Sequence, residues 1–185
     1  LHMFQQIDLK CIKVIFFDVD GVFTNGEITY SNNGVEFKTF DAKDGLGLVL
    51  LMEINVIPVI VTGRKSDIVK KRFKELGVKE IYQDVKNKPI FIQNYMFSNK
   101  LTASQTAFMG DDFQDLAVFD LVGFSIAPND AVSKVKSSAS YVTDAPGGRG
   151  AVRELSELLI KENEQCPYEI YIKLLKHKYG MANSQ

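Results

Sequence analysis

The sequence predicts an α/β fold in which a parallel β-sheet carries helices on both faces. Short apolar runs typical of buried strands alternate with stretches of helical length along the 185-residue chain. Strands and helices that alternate in this way form βαβ units, whose crossover helices cover a parallel sheet. The length suits one domain with a sizeable core.

Five apolar runs are the predicted strands. They are KVIFFD at 13–18, VIPVIVT at 56–62, TAFMG at 106–110, VGFSIA at 122–127 and SYVT at 140–143. The helices predicted between them cover 44–55, 66–77, 88–100 and 112–120. Ser66 and Gly77 stand where an N-cap and the glycine that follows a helix are expected, which bounds the second helix.

The segment EITYSNNGVEFKTF, residues 27–40, departs from this pattern. Apolar and polar residues alternate on both sides of Asn33-Gly34, which predicts a β-hairpin with a two-residue type I′ turn. We expect the hairpin between the first strand and the first helix, at the end of the sheet where Asp18 lies. The apolar side chains expected on one of its faces are Ile28, Tyr30, Val35 and Phe37.

Composition narrows the class of function. The formal net charge of −1 gives no field that favours nucleic acid or an anionic membrane. We expect no membrane span and no secretory signal, since the sequence shows neither pattern. Cys11 and Cys166 form neither a disulfide framework nor a metal motif, so a cytoplasmic location is expected. The opening LHM is typical of residues left by an expression tag, with Met3 as the first native residue.

Two clusters of aspartates follow predicted strands. Asp18 ends the first strand and Asp20 lies just beyond it, whereas Asp111, Asp112 and Asp115 follow the strand at 106–110. The carboxyl ends of parallel strands meet at one edge of a sheet, where ligands bind. Clustered carboxylates need a compensating cation, proton or ligand, and oxygen ligands suit Mg²⁺ before Ca²⁺. A single aspartate could equally cap a helix, but two clusters at strand ends favour a metal site.

Thr62, Gly63 and Lys88 are candidate phosphate-binding residues. Thr62 and Gly63 end the second strand, where a hydroxyl and a backbone N–H can bind a phosphate oxygen beside a helix N-terminus. A plain strand-to-helix turn is the alternative. Lys88 begins a predicted helix, where its charge opposes the helix dipole unless an anion is bound nearby. Lys86 is a competing cation, and either lysine could simply be solvated.

Together these features resemble the haloacid dehalogenase (HAD) superfamily of phosphatases. Its four motifs occur in order as DVDGV at 18–22, TG at 62–63, Lys88 and GDDFQD at 110–115. The resemblance implies a Rossmann-like, HAD-type sheet. It also implies that Thr62, Gly63 and Lys88 bind the phosphoryl group that is transferred.

The same resemblance implies roles for the aspartates. Asp18 would be the nucleophile, and Asp20 would be first the general acid and then the general base. Mg²⁺ would be bound by Asp18, by the backbone carbonyl of Asp20 and by Asp111. Asp115, and Asp112 as a further candidate, would orient the water molecules on the metal.

A narrower resemblance is to 3-deoxy-D-manno-octulosonate 8-phosphate (KDO 8-phosphate) phosphatases. It rests on the stretch from DVDGVFTNG to DAKDGLG, on TGRKS, on MGDDFQDLAVF and on DAPGGRGAVRELSELLI. It implies a phosphatase domain at 12–164 without a large cap, assembled as a homotetramer through the hairpins, with each site completed by a neighbour. Residues 1–11 would be a tag remnant and lead-in, and residues 165–185 an additional amphipathic helix.

The substrate carboxylate would be bound by Lys43, Arg64 and Arg149. Lys43 stands where this family commonly has an arginine, and a lysine cannot reproduce a bidentate grip on a carboxylate. Arg64 could instead cap a helix, and Arg149 could be solvated.

The predicted function is Mg²⁺-dependent hydrolysis of a phosphorylated 2-keto-3-deoxy sugar acid through an aspartyl phosphate, with KDO 8-phosphate as the first candidate substrate. Three alternatives are a phosphatase of a nine-carbon sugar acid phosphate (KDN or N-acylneuraminate 9-phosphate), a catalytically silent oligomerisation domain and a phosphate-binding switch. For the hairpin, the alternative to tetramer assembly is a small lid over its own site.

Overall fold

The computed structural model describes residues 7–180. Eight strands are present in this part of the chain: β1 (Val14–Phe17), β2 (Thr29–Tyr30), β3 (Glu36–Phe37), β4 (Ile57–Val61), β5 (Glu80–Tyr82), β6 (Thr106–Met109), β7 (Phe124–Ala127) and β8 (Tyr141–Val142). Six of them form one sheet in the order β5-β4-β1-β6-β7-β8, and all its pairings are parallel. The predicted parallel sheet is therefore confirmed.

Seven α-helices accompany these strands in residues 7–180. They are α1 (Ala42–Glu53), α2 (Asp67–Glu75), α3 (Lys88–Ser98), α4 (Leu116–Phe119), α5 (Ser133–Ser138), α6 (Ala151–Glu162) and α7 (Pro167–Tyr179). Buried side chains of α1, α2 and α6 form one hydrophobic cluster, and those of α3, α4 and α5 form another. Strand residues alternate between the two clusters: Ile15 and Phe17 join the first, and Val14 and Phe16 join the second. Helices therefore cover both faces, as predicted.

The strand β5 and the helix α5 show why some short elements were not predicted. The strand β5 has three residues, all only partly buried, and it lies at the edge of the sheet, so no apolar run marks it. The helix α5 has six residues and a single buried side chain, Val135. Elements this short and this exposed carry little hydrophobic periodicity.

The predicted C-terminal helix is present as α7. Its buried residue Ile170 packs against Leu50 of α1 and Ile160 of α6. The extension is thus attached to the domain by a small apolar cluster of its own. The expectation of a tag at residues 1–3 lies outside the described residues, and none of the helices in 7–180 is long and apolar enough to cross a membrane.

The hairpin is present between β1 and α1, but its turn is not the predicted one. The Gly34 N–H donates to Ser31 O at 2.9 Å, which makes Asn32 and Asn33 the central residues of the turn. Gly34 has φ +81°, whereas Asn33 does not have a positive φ, so a type I′ turn at 33–34 is excluded. The loop therefore has three residues, 32–34, and ends in a left-handed glycine.

This additional loop residue changes the faces of the hairpin. Tyr30 pairs with Glu36, and Thr29 pairs with Phe37. The expectation that Tyr30 and Phe37 share a face is therefore wrong, because a shift of one residue in register reverses every side chain of one strand relative to the other. The side chains on the face of Tyr30 are Ile28, Tyr30, Glu36 and Lys38, and those on the opposite face are Thr29, Val35 and Phe37.

Asp44 joins helices α1 and α6. Helix α6 begins after Gly150, which offers no side chain as a cap. The buried Asp44 carboxylate takes that place, because it accepts the Gly150 N–H at 3.1 Å and the Arg153 N–H at 3.0 Å. A side chain of one helix thus satisfies the free N–H groups of another.

We expect Asp44→Ala to lower the free energy of unfolding by about 1–2 kcal/mol, the usual effect of losing a capping side chain. Urea unfolding monitored by circular dichroism measures it. Asp41→Ala is the matched control for losing a capping carboxylate within one helix, because Asp41 caps the N-terminus of its own helix α1 through the Lys43 N–H. A change for Asp44→Ala within about 0.5 kcal/mol of zero, typical of a surface substitution, would contradict this role.

Candidate active site

Asp18 lies directly after β1, at the carboxyl end of the sheet. Its backbone N–H donates to Met109 O at 3.0 Å, which holds it against β6. Its buried side chain accepts the Val19 N–H on Oδ1 at 2.7 Å, and its Oδ2 lies 2.7 Å from Lys88 Nζ. The predicted nucleophile is thus fixed by hydrogen bonds and an ion pair before any ligand binds.

Lys88 is the first residue of α3, yet its side chain is only 5% exposed. Its ammonium group lies 2.7 Å from Asp18 Oδ2 and 2.6 Å from Asp115 Oδ1. Burial acts to lower the pKa of Lys88, but these two carboxylates outweigh it and raise the pKa above its usual value. The alternative of a solvated surface lysine is wrong for Lys88, whereas Lys86 is exposed and pairs with Asp84.

Three carboxylates meet at this point. Ligand oxygens of Asp18, Asp111 and Asp115 all lie within 4.8 Å of one another, an arrangement that can hold a metal ion. Asp111 Oδ1 is buried and has no hydrogen-bond partner within residues 7–180. Oxygen ligands in this number fit a hard cation such as Mg²⁺, which usually completes its shell with water.

The carboxylates also perturb each other's ionisation. Burial raises the pKa of Asp111 to about 7, and the charges of Asp18, Asp115 and Asp112 add to that rise. Burial likewise raises the pKa of Asp18 to about 6, with Lys88 opposing the rise and Asp115 adding to it. Without a bound cation, the fold therefore disfavours the ionised cluster.

Asp112 and Asp115 occupy different positions, although the family resemblance gave them similar roles. Asp115 is fully buried within the cluster, and its Oδ2 accepts the backbone N–H of Asp111 at 3.1 Å. Asp112 is exposed and accepts the Phe113 N–H at 2.7 Å, at the start of a short 3₁₀ helix. Asp115 is therefore the better placed of the two to act on a bound metal.

Gly21 makes room for this cluster. It has φ +83°, and a Cβ built on it would lie 1.9 Å from Asp111 Oδ2. A side chain at this position would displace Asp111, so the glycine of the motif is required by the close approach of that carboxylate.

Asp20 lies beside the hairpin, where it meets two cations. Its Oδ1 forms an ion pair with Lys38, whose side chain is only 1% exposed, and its Oδ2 lies 3.7 Å from Arg64 Nε. The hairpin residues Tyr30 and Glu36 accept hydrogen bonds from the other end of Arg64, at 2.6 and 2.9 Å from its Nη2. Lys38 was not predicted from the sequence, although the correct hairpin register places it on the same face as Tyr30 and Glu36.

A cleft of about 350 Å³ joins these groups. Its lining includes six of the predicted residues: Asp18, Asp20, Thr62, Gly63, Arg64 and Lys88. Thr62 Oγ1 accepts the Arg64 N–H at 3.3 Å, which leaves the hydroxyl hydrogen to donate to an anion. The cleft therefore offers a hydroxyl, an ammonium group and carboxylates to one ligand.

The three predicted carboxylate-binding cations are not brought together. Arg64 lines the cleft. Lys43 is exposed on the first turn of α1, and Arg149 is exposed in the loop before α6; neither is among the residues that line this cleft. In a single protomer, only Arg64 of the three is positioned at the site.

This fold and this site define the class of haloacid dehalogenase-like hydrolases. The sequence model of that family matches residues 79–155, which include Lys88 and the three aspartates after β6. The class predicted from the four motifs is confirmed.

Similar proteins and solved structures indicate a particular family within this class of hydrolases. The chain is 37% identical over 157 residues to the 3-deoxy-D-manno-octulosonate 8-phosphate phosphatase KdsC of Haemophilus influenzae, covering 85% of this chain and 87% of that protein. It is 39% identical over 149 residues to the phosphatase of the same name in Salmonella typhi, covering 80% and 79%.

The crystal structure of this phosphatase from Moraxella catarrhalis in complex with magnesium ion, phosphate ion and KDO superimposes with a TM-score of 0.84. Identity is 35%, and the match covers 91% of this chain and 95% of that one. The cobalt-bound form of the Haemophilus influenzae enzyme gives a TM-score of 0.81 at 36% identity, covering 85% and 92%. The chain belongs to the family of 3-deoxy-D-manno-octulosonate 8-phosphate phosphatases.

We expect the metal-free protein to lose stability as the pH rises from about 4 to 7. The pKa of Asp111 lies near 7 in the fold, against an ordinary value of 3.8. Between these values the folded state binds more protons than the unfolded state, so stability falls with rising pH. Thermal melting in EDTA across this range measures the fall, and added Mg²⁺ should reduce it because it binds the folded state.

Asp111→Asn is the control for this expectation, since an amide does not titrate. The melting temperature of the variant should exceed that of the wild type by an amount that grows with pH in EDTA. It should also respond less to Mg²⁺. Parallel curves for the two proteins in EDTA would contradict the assignment of the effect to Asp111.

Proposed function

We propose that the protein is a Mg²⁺-dependent phosphatase that hydrolyses KDO 8-phosphate to KDO and phosphate through an aspartyl phosphate on Asp18. The observation that carries the proposal is the contact of Asp18 with the Lys88 ammonium group on one side and its proximity to Asp111 on the other, with Asp18 and Lys88 lining the cleft. The names of its relatives support the same reaction and the same substrate.

Asp18 and Asp111, with Asp115 close by, are the residues that would hold the metal. A bound Mg²⁺ supplies positive charge that offsets the carboxylates and the phosphoryl group. Lys88 adds a second positive charge at the same place, and the Thr62 hydroxyl can donate to a phosphoryl oxygen. The residues of the cleft thus bind the phosphoryl group and stabilise its developing charge.

The reaction requires two carboxylates with separate tasks. A carboxylate oxygen of Asp18 forms a bond to phosphorus while the bond from phosphorus to the sugar oxygen breaks. The leaving oxygen takes a proton from Asp20. Asp20 then takes a proton from water as the water attacks phosphorus, which releases phosphate and restores Asp18. The cleft suits this division because both carboxylates line it.

The sugar acid itself would be bound by cations at the mouth of the cleft. Arg64 and Lys86 both line it, and either can interact with a substrate carboxylate. The relative from Moraxella catarrhalis holds KDO in its crystal structure, which supports an eight-carbon sugar acid over a nine-carbon one. The intact set of motif residues counts against a catalytically silent domain.

We further propose a homotetramer in a reducing cytoplasm. The face of the hairpin that carries Tyr30, Glu36 and Lys38 is its inner face, and the face that carries Thr29, Val35 and Phe37 is its outer face. On the outer face, the large apolar side chains Val35 and Phe37 are 49% and 55% exposed in the single chain. A two-stranded hairpin is marginal in water, and packing against copies of itself would cover this face. The exposed, unpaired cysteines Cys11 and Cys166 suit a reducing compartment.

Phosphate release from a panel of sugar phosphates tests the function. We expect KDO 8-phosphate to be hydrolysed with a higher kcat/KM than nine-carbon sugar acid phosphates, and EDTA to abolish turnover. Asp18→Asn should reduce kcat by at least about 1,000-fold, because an amide is a poor nucleophile. Retention of more than a few per cent of wild-type kcat by this variant would remove Asp18 from the mechanism.

The double variant Val35→Asp with Phe37→Asp tests the assembly. Two charges on the outer face should dissociate the tetramer into smaller species, because burying a carboxylate against a neighbouring subunit without an opposite charge is strongly unfavourable. Sedimentation velocity at micromolar concentration measures the mass. Phe97→Asp is the matched control, since Phe97 is 87% exposed at the end of α3, and it should leave the mass unchanged. A monomeric wild type would end the proposal.

A further inference from the structure

One of the hairpin's contacts with its own active site is made by a buried cation. Lys38 directly follows β3, and its side chain is 1% exposed, much less than is usual for a lysine. Its ammonium group forms an ion pair with Asp20 Oδ1 and lies 3.7 Å from Glu36 Oε1. A lysine buried in this way needs both carboxylates, because removing either leaves its charge poorly compensated.

Asp20 is held asymmetrically by this pair. Its Oδ1 is bound by Lys38, whereas its Oδ2 lies 3.7 Å from Arg64 Nε, beyond hydrogen-bond distance. The side chain of Asp20 is 21% exposed and lines the cleft. One carboxylate oxygen is therefore fixed by the hairpin, and the other remains available to carry a proton.

We propose that Lys38 is a positioning residue, which binds Oδ1 of Asp20 and so orients the protonated side chain for Oδ2 to give its proton to the leaving oxygen. The proposal rests on the proposed phosphatase function and deepens it. General acid catalysis requires a heavy-atom distance of roughly 2.6–3.2 Å, and an aspartate with free side-chain torsions seldom keeps it. A salt bridge from a buried lysine removes that freedom before the substrate arrives.

The competing role is purely structural, in which Lys38 only attaches the hairpin to the domain. Glu36 already provides such an attachment. Its carboxylate accepts hydrogen bonds from Arg64 Nη2 at 2.9 Å and from Ser66 Oγ at 2.7 Å, at the N-terminus of α2. Lys38 differs from these contacts because its nearer partner is the predicted general acid.

Leaving groups distinguish the two roles. A sugar alkoxide needs protonation as it departs, whereas p-nitrophenolate departs without it. We expect Lys38→Met to lower kcat for KDO 8-phosphate by about 10- to 100-fold and kcat for p-nitrophenyl phosphate by less than about threefold. Lys38→Arg keeps the charge and should recover most of the loss.

Two further variants make the test specific. Ser66→Ala removes the hydrogen bond from Ser66 Oγ to the hairpin carboxylate without removing a charge beside Lys38 or Asp20, and it should change kcat for both substrates by the same factor. In the Asp20→Asn background, Lys38→Met should cost no more than about twofold, because a residue that acts through Asp20 has nothing left to position. An equal loss of kcat for both substrates in Lys38→Met would overturn the proposal. A full additional loss of kcat in the double variant would do the same.

Failure of the proposed function can be told apart from failure of this inference. If the wild type hydrolyses neither substrate, the phosphatase proposal is wrong. The positioning role of Lys38 is then tested by a crystal structure of Lys38→Met. A carboxylate of Asp20 that has turned away from its wild-type position supports the positioning role. An unmoved carboxylate overturns it.

Discussion

The structure depends on bringing three carboxylates together, two of them buried against a single ammonium group. Lys88 offsets part of the charge of Asp18 and Asp115, but Asp111 keeps one buried oxygen without a hydrogen-bond partner among the described residues. Taking such charges out of water costs several kcal/mol per ion unless they are compensated. The cluster is therefore complete only with a cation, and the neighbouring backbone is shaped to allow its close contacts, as Gly21 shows.

The sheet explains why the cluster forms at this place. Strands β1 and β6 are parallel neighbours, and Phe17 pairs with Met109, so both strands end at the same level. The residues that follow, Asp18 and Asp111, meet as a direct consequence. Lys88 completes the cluster from α3, whose N-terminus begins at the same edge of the sheet. Three separate parts of the sequence thus supply one site through a single topological rule.

The strand order and the hairpin register explain which site residues could be predicted from the sequence. The aspartates after β1 and β6 were predictable, because apolar strands and their ends are marked by hydrophobicity. Lys38 was not, because its direction depends on a hairpin register that changes when the loop gains one residue. Nor could the burial of Asp115 and the exposure of Asp112 be separated, since both belong to one short motif and differ only in the local turn.

The two predicted uses of the hairpin, as a lid or as an assembly element, do not exclude each other. Its inner face carries Glu36 and Lys38 and is attached to the active site, whereas Phe37 lies on the outer face and is exposed. Phe37 and Lys38 are consecutive residues, so they point in opposite directions from the same strand segment. Any contact that orders the outer face therefore also restrains Lys38, and through it the carboxylate of Asp20. In the proposed tetramer, assembly and the proposed proton transfer would in this way be linked by one peptide unit, without a separate element to carry the coupling.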